Sequence, residues 1–251
     1  MKILISNDDG ISARGIQELT KALKEIGEVT VVAPATEQSA VGHAISMKNP
    51  LRVTKHYHNE EFFGYAVSGT PADCVKMGVR NILKEKPDIV VSGINHGANA
   101  AVNIIYSGTV SAAREATFME IPAVAMSITS HNPESFQAAA KVAKKLVKMV
   151  YENGLDKGTM LNVNVPNVSE TEIKGIKITS QGKSTWDDYY EERTDPYGNN
   201  YYWLKGTLGD DQVDENSDEF AIKNNYVSVT PIQFDLTDRN EIQKLKKWNL
   251  E

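Results

Sequence analysis

Four short runs in the first half of the chain, residues 2–6, 29–33, 88–91 and 121–126, are apolar through their centres. None shows the in–out alternation of a strand with one wet face. Strands apolar on both faces pair in parallel sheets that helices cover on both sides. The intervening sequence supplies the helices. Ile16, Leu19, Leu23 and Ile26 recur at helical spacing, with Gly27 expected as the C-terminal cap. Thr70-Pro71-Ala72-Asp73 places a capping hydroxyl, a proline and a carboxylate at a helix start, and Val75, Val79 and Ile82 form its apolar stripe. Phe136, Ala139, Ala143, Leu146, Val147 and Val150 form a third stripe, closed by Gly154. Pro34 halts the second strand and Pro87 precedes the third. Residues 51–57 and 62–67, turning at Asn59-Glu60, read as an inserted β-hairpin. The expected class is α/β, a mostly parallel sheet flanked by helices.

At 251 residues the chain has room for one large domain or two small ones. After residues 161–166 the texture changes. The stretch 183–218 is polar and aromatic, with Trp186, Tyr189, Tyr190, Tyr197, Tyr201, Tyr202 and Trp203, and residues 195–200 are a turn signal. It reads as a protruding hairpin arm that packs on another part of the protein or on another subunit. A strand at 227–231 and a helix at about 238–248 follow. The expectation is a single domain over 1–251, with a core at 1–166 and, at 167–251, the oligomerisation arm with the C-terminal strand and helix.

A net charge of −6 argues against a general binder of duplex nucleic acid. One cysteine, Cys74, allows no internal disulfide. No apolar run is long enough for a signal peptide or a membrane span. A cytoplasmic protein without a membrane partner is expected.

Asn7-Asp8-Asp9-Gly10 follows the first strand directly. In open parallel sheets ligands bind beyond the carboxyl ends of the strands. Two adjacent carboxylates at that address repel unless a cation or donors neutralise them, and such oxygen-rich sites suit Mg²⁺ or Mn²⁺. The plainer alternative is that Asp8 or Asp9 caps the next helix. Two more loops share the address: residues 33–43, with Ser39 and His43, and residues 93–99, with Asn95, His96 and Asn99. The segment 106–111 opens a helix, where Ser107, Gly108 and Thr109 offer hydroxyls and backbone N–H groups to a phosphate, or an ordinary N-cap. None of the five histidines is assigned a catalytic role.

Several chemistries lack their motifs. There is no G-x-x-x-x-G-K-[ST], no G-x-G-x-x-G after the first strand, no C-x-x-C, no H-E-x-x-H and no G-x-S-x-G. Asn7 stands where a D-x-D phosphatase needs its nucleophile. A hydrolase built here uses metal-activated water without a covalent intermediate.

Taken in order, ILISNDDGI, VVAPATEQSAVGH, GTPADCV, PDIVVSGINHGAN, YSGTVSAAREA, LNVNVP, DPYGNNYYW and YVSVTPI resemble the survival protein E (SurE) family of nucleotidases over nearly the whole chain. The resemblance implies a Rossmann-like core whose C-terminal elements exchange in a homo-dimer or tetramer. It implies a metal-dependent phosphatase of nucleoside 5′- and 3′-monophosphates and, in some members, short polyphosphate, with one divalent cation, Mg²⁺ or Mn²⁺, per subunit. Carried over by position, the metal ligands are Asp8, Asp9, Ser39 and Asn95, and phosphate lies against Asn99, Ser107, Gly108 and Thr109. Family members often carry proline where this chain has Ala98, which loosens the approach to Asn99.

The cation is expected to hold a phosphoryl oxygen and orient the attacking water, with Asp8 and Asp9 as the catalytic carboxylates. The sequence does not decide which group takes the proton; Asp9 is the candidate. No aromatic clamp for a base is specified near these motifs, so phosphate is expected to be recognised better than base. The rival readings are a phosphatase of other small phosphates, an exopolyphosphatase, and a non-catalytic phosphate- or nucleotide-sensing module.

Overall fold

A computed structural model describes residues 1–209 and 214–249. The chain runs β1 (Lys2–Ser6), α1 (Arg14–Lys24), β2 (Glu28–Pro34), β3 (Val53–His58), β4 (Glu61–Val67) and α2 (Pro71–Met77), which a π-helical turn extends over Gly78–Ile82. It continues through β5 (Ile89–His96), α3 (Asn103–Tyr106), α4 (Gly108–Phe118), β6 (Ala123–Ile128), α5 (Gln137–Asn153) and β7 (Thr159–Val165). The last part holds β8 (Ile176–Ile178), β9 (Trp186–Thr194), β10 (Asn200–Leu208), α6 (Asp218–Lys223), β11 (Val227–Gln233) and α7 (Arg239–Leu245).

Nine strands form one sheet in the order β3-β4-β2-β1-β5-β6-β7-β11-β8. From β4 to β7 every neighbour is parallel, as the doubly apolar strands predict. The inserted hairpin turns at Asn59 and Glu60, both at positive φ, and extends this sheet rather than standing apart. Alternate residues of β1 enter opposite cores. Ile3 and Ile5 meet α1 and α5, whereas Leu4 meets Cys74, Val75 and α4. Helix α4 carries Ala112, Ala113 and Ala116, small enough for close approach, and nearly all of it is buried.

The Thr70 capping box forms as the sequence predicts: Thr70 accepts from the Asp73 N–H, and Asp73 from the Thr70 N–H. Gly27 is a correction. Helix α1 ends at Lys24 with Glu25 as its cap, and Gly27 is absent from the positive-φ residues. A Cβ at Gly27 would lie 2.5 Å from the Met1 carbonyl, so a close approach, not a left-handed cap, requires glycine there. The C-terminal helix is also shorter than expected, Arg239–Leu245, started by Asp238 accepting from two backbone N–H groups.

Strands β9 and β10 form the arm, an antiparallel pair from Trp186 to Leu208 that packs extensively only on itself. Residues 210–213, part of the arm region expected from the sequence, lie outside the described residues. No described helix is long and apolar enough to cross a membrane.

Strand β2 runs to one side of β1, and the chain then crosses to place β5 on the other. That reversal opens a crevice at the carboxyl ends of β1 and β5, where the loops after Ser6 and Ser92 emerge together. Helix α1 must enter close beneath it: a Cβ at Gly15 would lie 2.0 Å from the Ile94 carbonyl oxygen. Gly15→Ala is expected to cost about 1–3 kcal/mol or more by overpacking, read as a lowered urea midpoint with an unchanged slope.

Candidate functional site

Asp8 sits at the end of β1 with only 8% of its surface exposed. Its Oδ2 accepts from the Thr109 N–H at 3.0 Å, and its Oδ1 accepts from the Thr109 hydroxyl. A buried carboxylate therefore occupies the first turn of α4, where unpaired N–H groups and the helix dipole favour negative charge. Gly108 makes this approach possible, since a Cβ there would lie 2.8 Å from the Asp8 Cβ. Burial pushes the Asp8 pKa up, and the two Thr109 bonds pull it back. Ser107 caps the same helix by accepting from the Val110 N–H at 3.1 Å.

Asp9 lacks such support. Its Oδ2 is buried without a hydrogen-bond partner, and so is Oδ1 of Asn7, whose amide nitrogen closes the turn onto the Gly10 carbonyl at 2.9 Å. Desolvation, then the Asp8 charge, then the Glu37 charge push Asp9 up to about 7. The His96 Nδ1 stands 3.5 Å from Asp9 Oδ1, and desolvation lowers the pKa of this histidine.

The other donors come from the loops after β2 and β5. Gln38 donates its N–H to the Asp8 carbonyl at 2.8 Å, which brings the 35–39 loop to the site. Ser39 itself is exposed and donates its hydroxyl to Glu37. Asn95 donates its amide nitrogen to the carbonyls of His96 and Gly97, leaving Oδ1 as its free acceptor. Farther along, Asn99 is buried and pinned by β7. Asn164 accepts from the Asn99 N–H at 2.8 Å and donates to its carbonyl at 3.1 Å, and Asn162 donates to the same carbonyl at 2.7 Å. The Asn99 amide nitrogen donates to Ser127 Oγ at 2.8 Å. Two groups hold the next turn from the C-terminal part of the chain: Asp218 accepts from the Ala101 N–H, and Gln181 donates to the Ala101 carbonyl.

The chain matches the family described as Survival protein SurE over residues 3–188. It is 51% identical over 252 residues to a Syntrophobacter fumaroxidans protein named 5′-nucleotidase SurE, covering 100% of each. A protein of that name from Chlorobium phaeobacteroides is 49% identical over 249 residues, 99% of this chain and 96% of its own. The crystal structure of the SurE protein from Aquifex aeolicus superposes with a TM-score of 0.84 at 42% identity, covering 98% of this chain and 100% of that one. This chain belongs to the SurE family.

Set on this SurE fold, the residues expected at the site fall into two groups. Asp8, Asp9, Asn95, Asn99, Ser107, Gly108 and Thr109 all lie at the carboxyl edge of the sheet or on α4, which starts there. Ser39 reaches that edge by its loop, but its hydroxyl makes no hydrogen bond to either aspartate. Thr109 turns both of its donors to Asp8, so the capping and ligand readings of the pair divide between the two residues: Asp8 is anchored on a helix start and Asp9 is not. Among the described residues no cluster of three or more His, Cys, Asp or Glu side chains forms. The donor set is two carboxylates, an amide and a hydroxyl, hard oxygen ligands that fit Mg²⁺ or Mn²⁺. The orphaned Asp9 oxygen is the observation that makes a cation fit.

Sequence reasoning missed Asn162, Asn164 and Asp218. The first two stand in LNVNVP as polar residues on an otherwise apolar strand, and that mismatch was the available signal. Their grip on Asn99 also answers the looseness expected from Ala98.

The two aspartates should respond oppositely to neutralisation. In EDTA, Asp8→Asn turns an amide N–H toward one Thr109 donor and is expected to cost about 1–3 kcal/mol. Asp9 has a folded pKa of about 7 against an ordinary value of 3.8. The folded chain therefore binds this proton more tightly, and the stability of metal-free protein falls as pH rises from about 4 to 7. Asp9→Asn removes that fall and is expected to raise stability at neutral pH by roughly 1–4 kcal/mol. Calorimetry across this pH range in EDTA checks both signs.

Proposed function

We propose that the chain is a metal-dependent 5′-nucleotidase that hydrolyses nucleoside 5′- and 3′-monophosphates to nucleoside and phosphate in the cytoplasm. The observation that carries this reading is the unpartnered Asp9 Oδ2 beside a second, fully hydrogen-bonded carboxylate at the topological switch point. Asp8, Asp9, Ser39 and Asn95 would hold one divalent cation, Mg²⁺ or Mn²⁺, per subunit. When bound, that ion supplies charge neutralisation at the phosphoryl group and a water of lowered pKa.

The protein's own groups do the rest. Asp8, locked to Thr109, fixes the direction of the pair. Asp9 Oδ2 holds the cation and takes the proton of the attacking water. Asn95 offers Oδ1, and Ser39 joins by turning its hydroxyl away from Glu37. The phosphoryl oxygens lie against Ser107, Gly108 and Thr109 at the start of α4, whose dipole favours the charge that develops there. Asn99 keeps one amide N–H on Ser127 and has a second for phosphate. We take 1–251 as one domain, with 1–166 carrying the site and 167–251 carrying assembly.

Phosphate release from purine and pyrimidine monophosphates, sugar phosphates and short polyphosphate tests this reading. Nucleotide turnover with Mg²⁺ or Mn²⁺ and its loss in EDTA are expected. Release from polyphosphate or sugar phosphates alone would replace the substrate class, and no release from anything would leave a binding module.

The arm leaves Tyr189, Tyr190, Tyr197, Tyr202 and Trp203 exposed. A row of large aromatic side chains in water marks an interface. We infer a homo-dimer or tetramer joined through β9 and β10. Light scattering at micromolar concentration should give at least twice the chain mass, and a fully active monomer would count against it.

A further inference from the structure

The nucleotidase reading places the phosphate but gives the nucleoside no partner. Beside the carboxyl edge of the sheet lies a cleft of about 1000 Å³ between α3 and the base of the arm. Ala40, Asn103 and Tyr106 line one side, and Trp186, Tyr189 and Lys205 line the other. Ala40 follows Ser39, and Tyr106 precedes Ser107, so the cleft adjoins the proposed metal and phosphate positions on both flanks. Two hydrogen bonds fix its mouth. Trp186 donates its indole N–H to Asn103 Oδ1 at 2.7 Å, and the Gly42 N–H bonds the Tyr106 carbonyl at 3.0 Å.

Trp186 and Tyr106 remain 43% and 53% exposed, so their rings are not consumed by the core. Asp187 and Asp188 also line the cleft. Two carboxylates make it a poor seat for a further phosphate, but they are good acceptors for ribose hydroxyls. The volume is at the upper end of ordinary small-molecule sites and holds a nucleoside with room for water.

We propose that this cleft is the nucleoside subsite of the nucleotidase reading on which the idea rests, with the base stacked on Trp186 and Tyr106. Stacking on aromatic faces tolerates any base, because every base has a π-face. The subsite therefore distinguishes a nucleotide from a phosphate that has no base, rather than one base from another. Base recognition, left without an aromatic partner by the motifs, comes from a residue of the arm 79 positions after Ser107.

The test compares adenosine monophosphate with ribose 5-phosphate, using the full-length enzyme in its native assembly with Mg²⁺ or Mn²⁺. Wild-type kcat/KM is expected to favour the nucleotide by roughly 5- to 150-fold. Trp186→Ala should raise KM for the nucleotide by about that factor, leave kcat alone and leave ribose 5-phosphate unaffected, as loss of uniform binding requires. Trp186→Phe should restore most of the difference. In EDTA, adenosine should quench the tryptophan emission of the wild type but not that of Trp186→Phe, which retains Trp203 and Trp248. Equal hydrolysis of both substrates by the wild type, or equal loss on both with Trp186→Ala, would overturn the subsite and leave the nucleotidase standing. Dissociation of the oligomer by Trp186→Ala without a KM change would assign the cleft to a second copy of the chain. Failure to hydrolyse either substrate would defeat the nucleotidase reading, and the quenching experiment would still decide the subsite.

Discussion

Removing the Asp8 carboxylate from water is unfavourable, and burial by itself pushes the group toward its neutral form. The two bonds from Thr109, aided by the dipole of α4, offset that cost. Both partners belong to rigid elements, one at the end of the central strand and one at the start of a helix buried on almost every side. The bond therefore fixes the height of α4 over the sheet as well as the direction of Asp8. With Asp8 satisfied, Asp9 is left beside a charge that it cannot avoid. Gly108 is the steric condition for all of this, because any side chain there would hold the helix away from Asp8.

The parallel sheet and both layers of helices were legible because burial on two faces leaves an unmistakable run of apolar residues, as at 89–91 and 123–126. The Thr70 box was legible because its bonds join residues three apart in sequence. What escaped depends on distant partners. Strand β5 runs on to His96 through a bulge at Ser92–Asn95, since β6 continues to pair with it there, and no local pattern encodes that. The role of Gly27 depends on Met1, and that of Gly15 on Ile94. The site was legible as an address, because parallel strands bring their carboxyl-end loops to one edge. The division of labour within it was not, since Thr109 is 101 residues from the carboxylate it holds.

The C-terminal part of the chain reaches the site more directly than its late position suggests. Asp218, wholly buried, accepts from both Ala101 and Gly182, while Gln181 and Trp186 donate to the same loop region. The loop carrying Asn99 is thus gripped by the root of the arm as well as by β7. Any movement of the arm on assembly is transmitted to residues within two positions of Asn99.

The grip of β7 rests on one side-chain amide that behaves as a strand neighbour, accepting with its oxygen and donating with its nitrogen to the same backbone unit. Only an uncharged amide of that length does both. Spontaneous loss of ammonia from Asn164, the slow chemistry by which asparagine becomes aspartate, would set oxygen against the Asn99 carbonyl oxygen. The extended strand and the branched Val165 that follows both hinder the cyclisation which that ageing requires. The working lifetime of the loop is thereby tied to a chemical bond far from any substrate, in a residue whose burial protects it from hydrolysis for as long as the sheet stays closed.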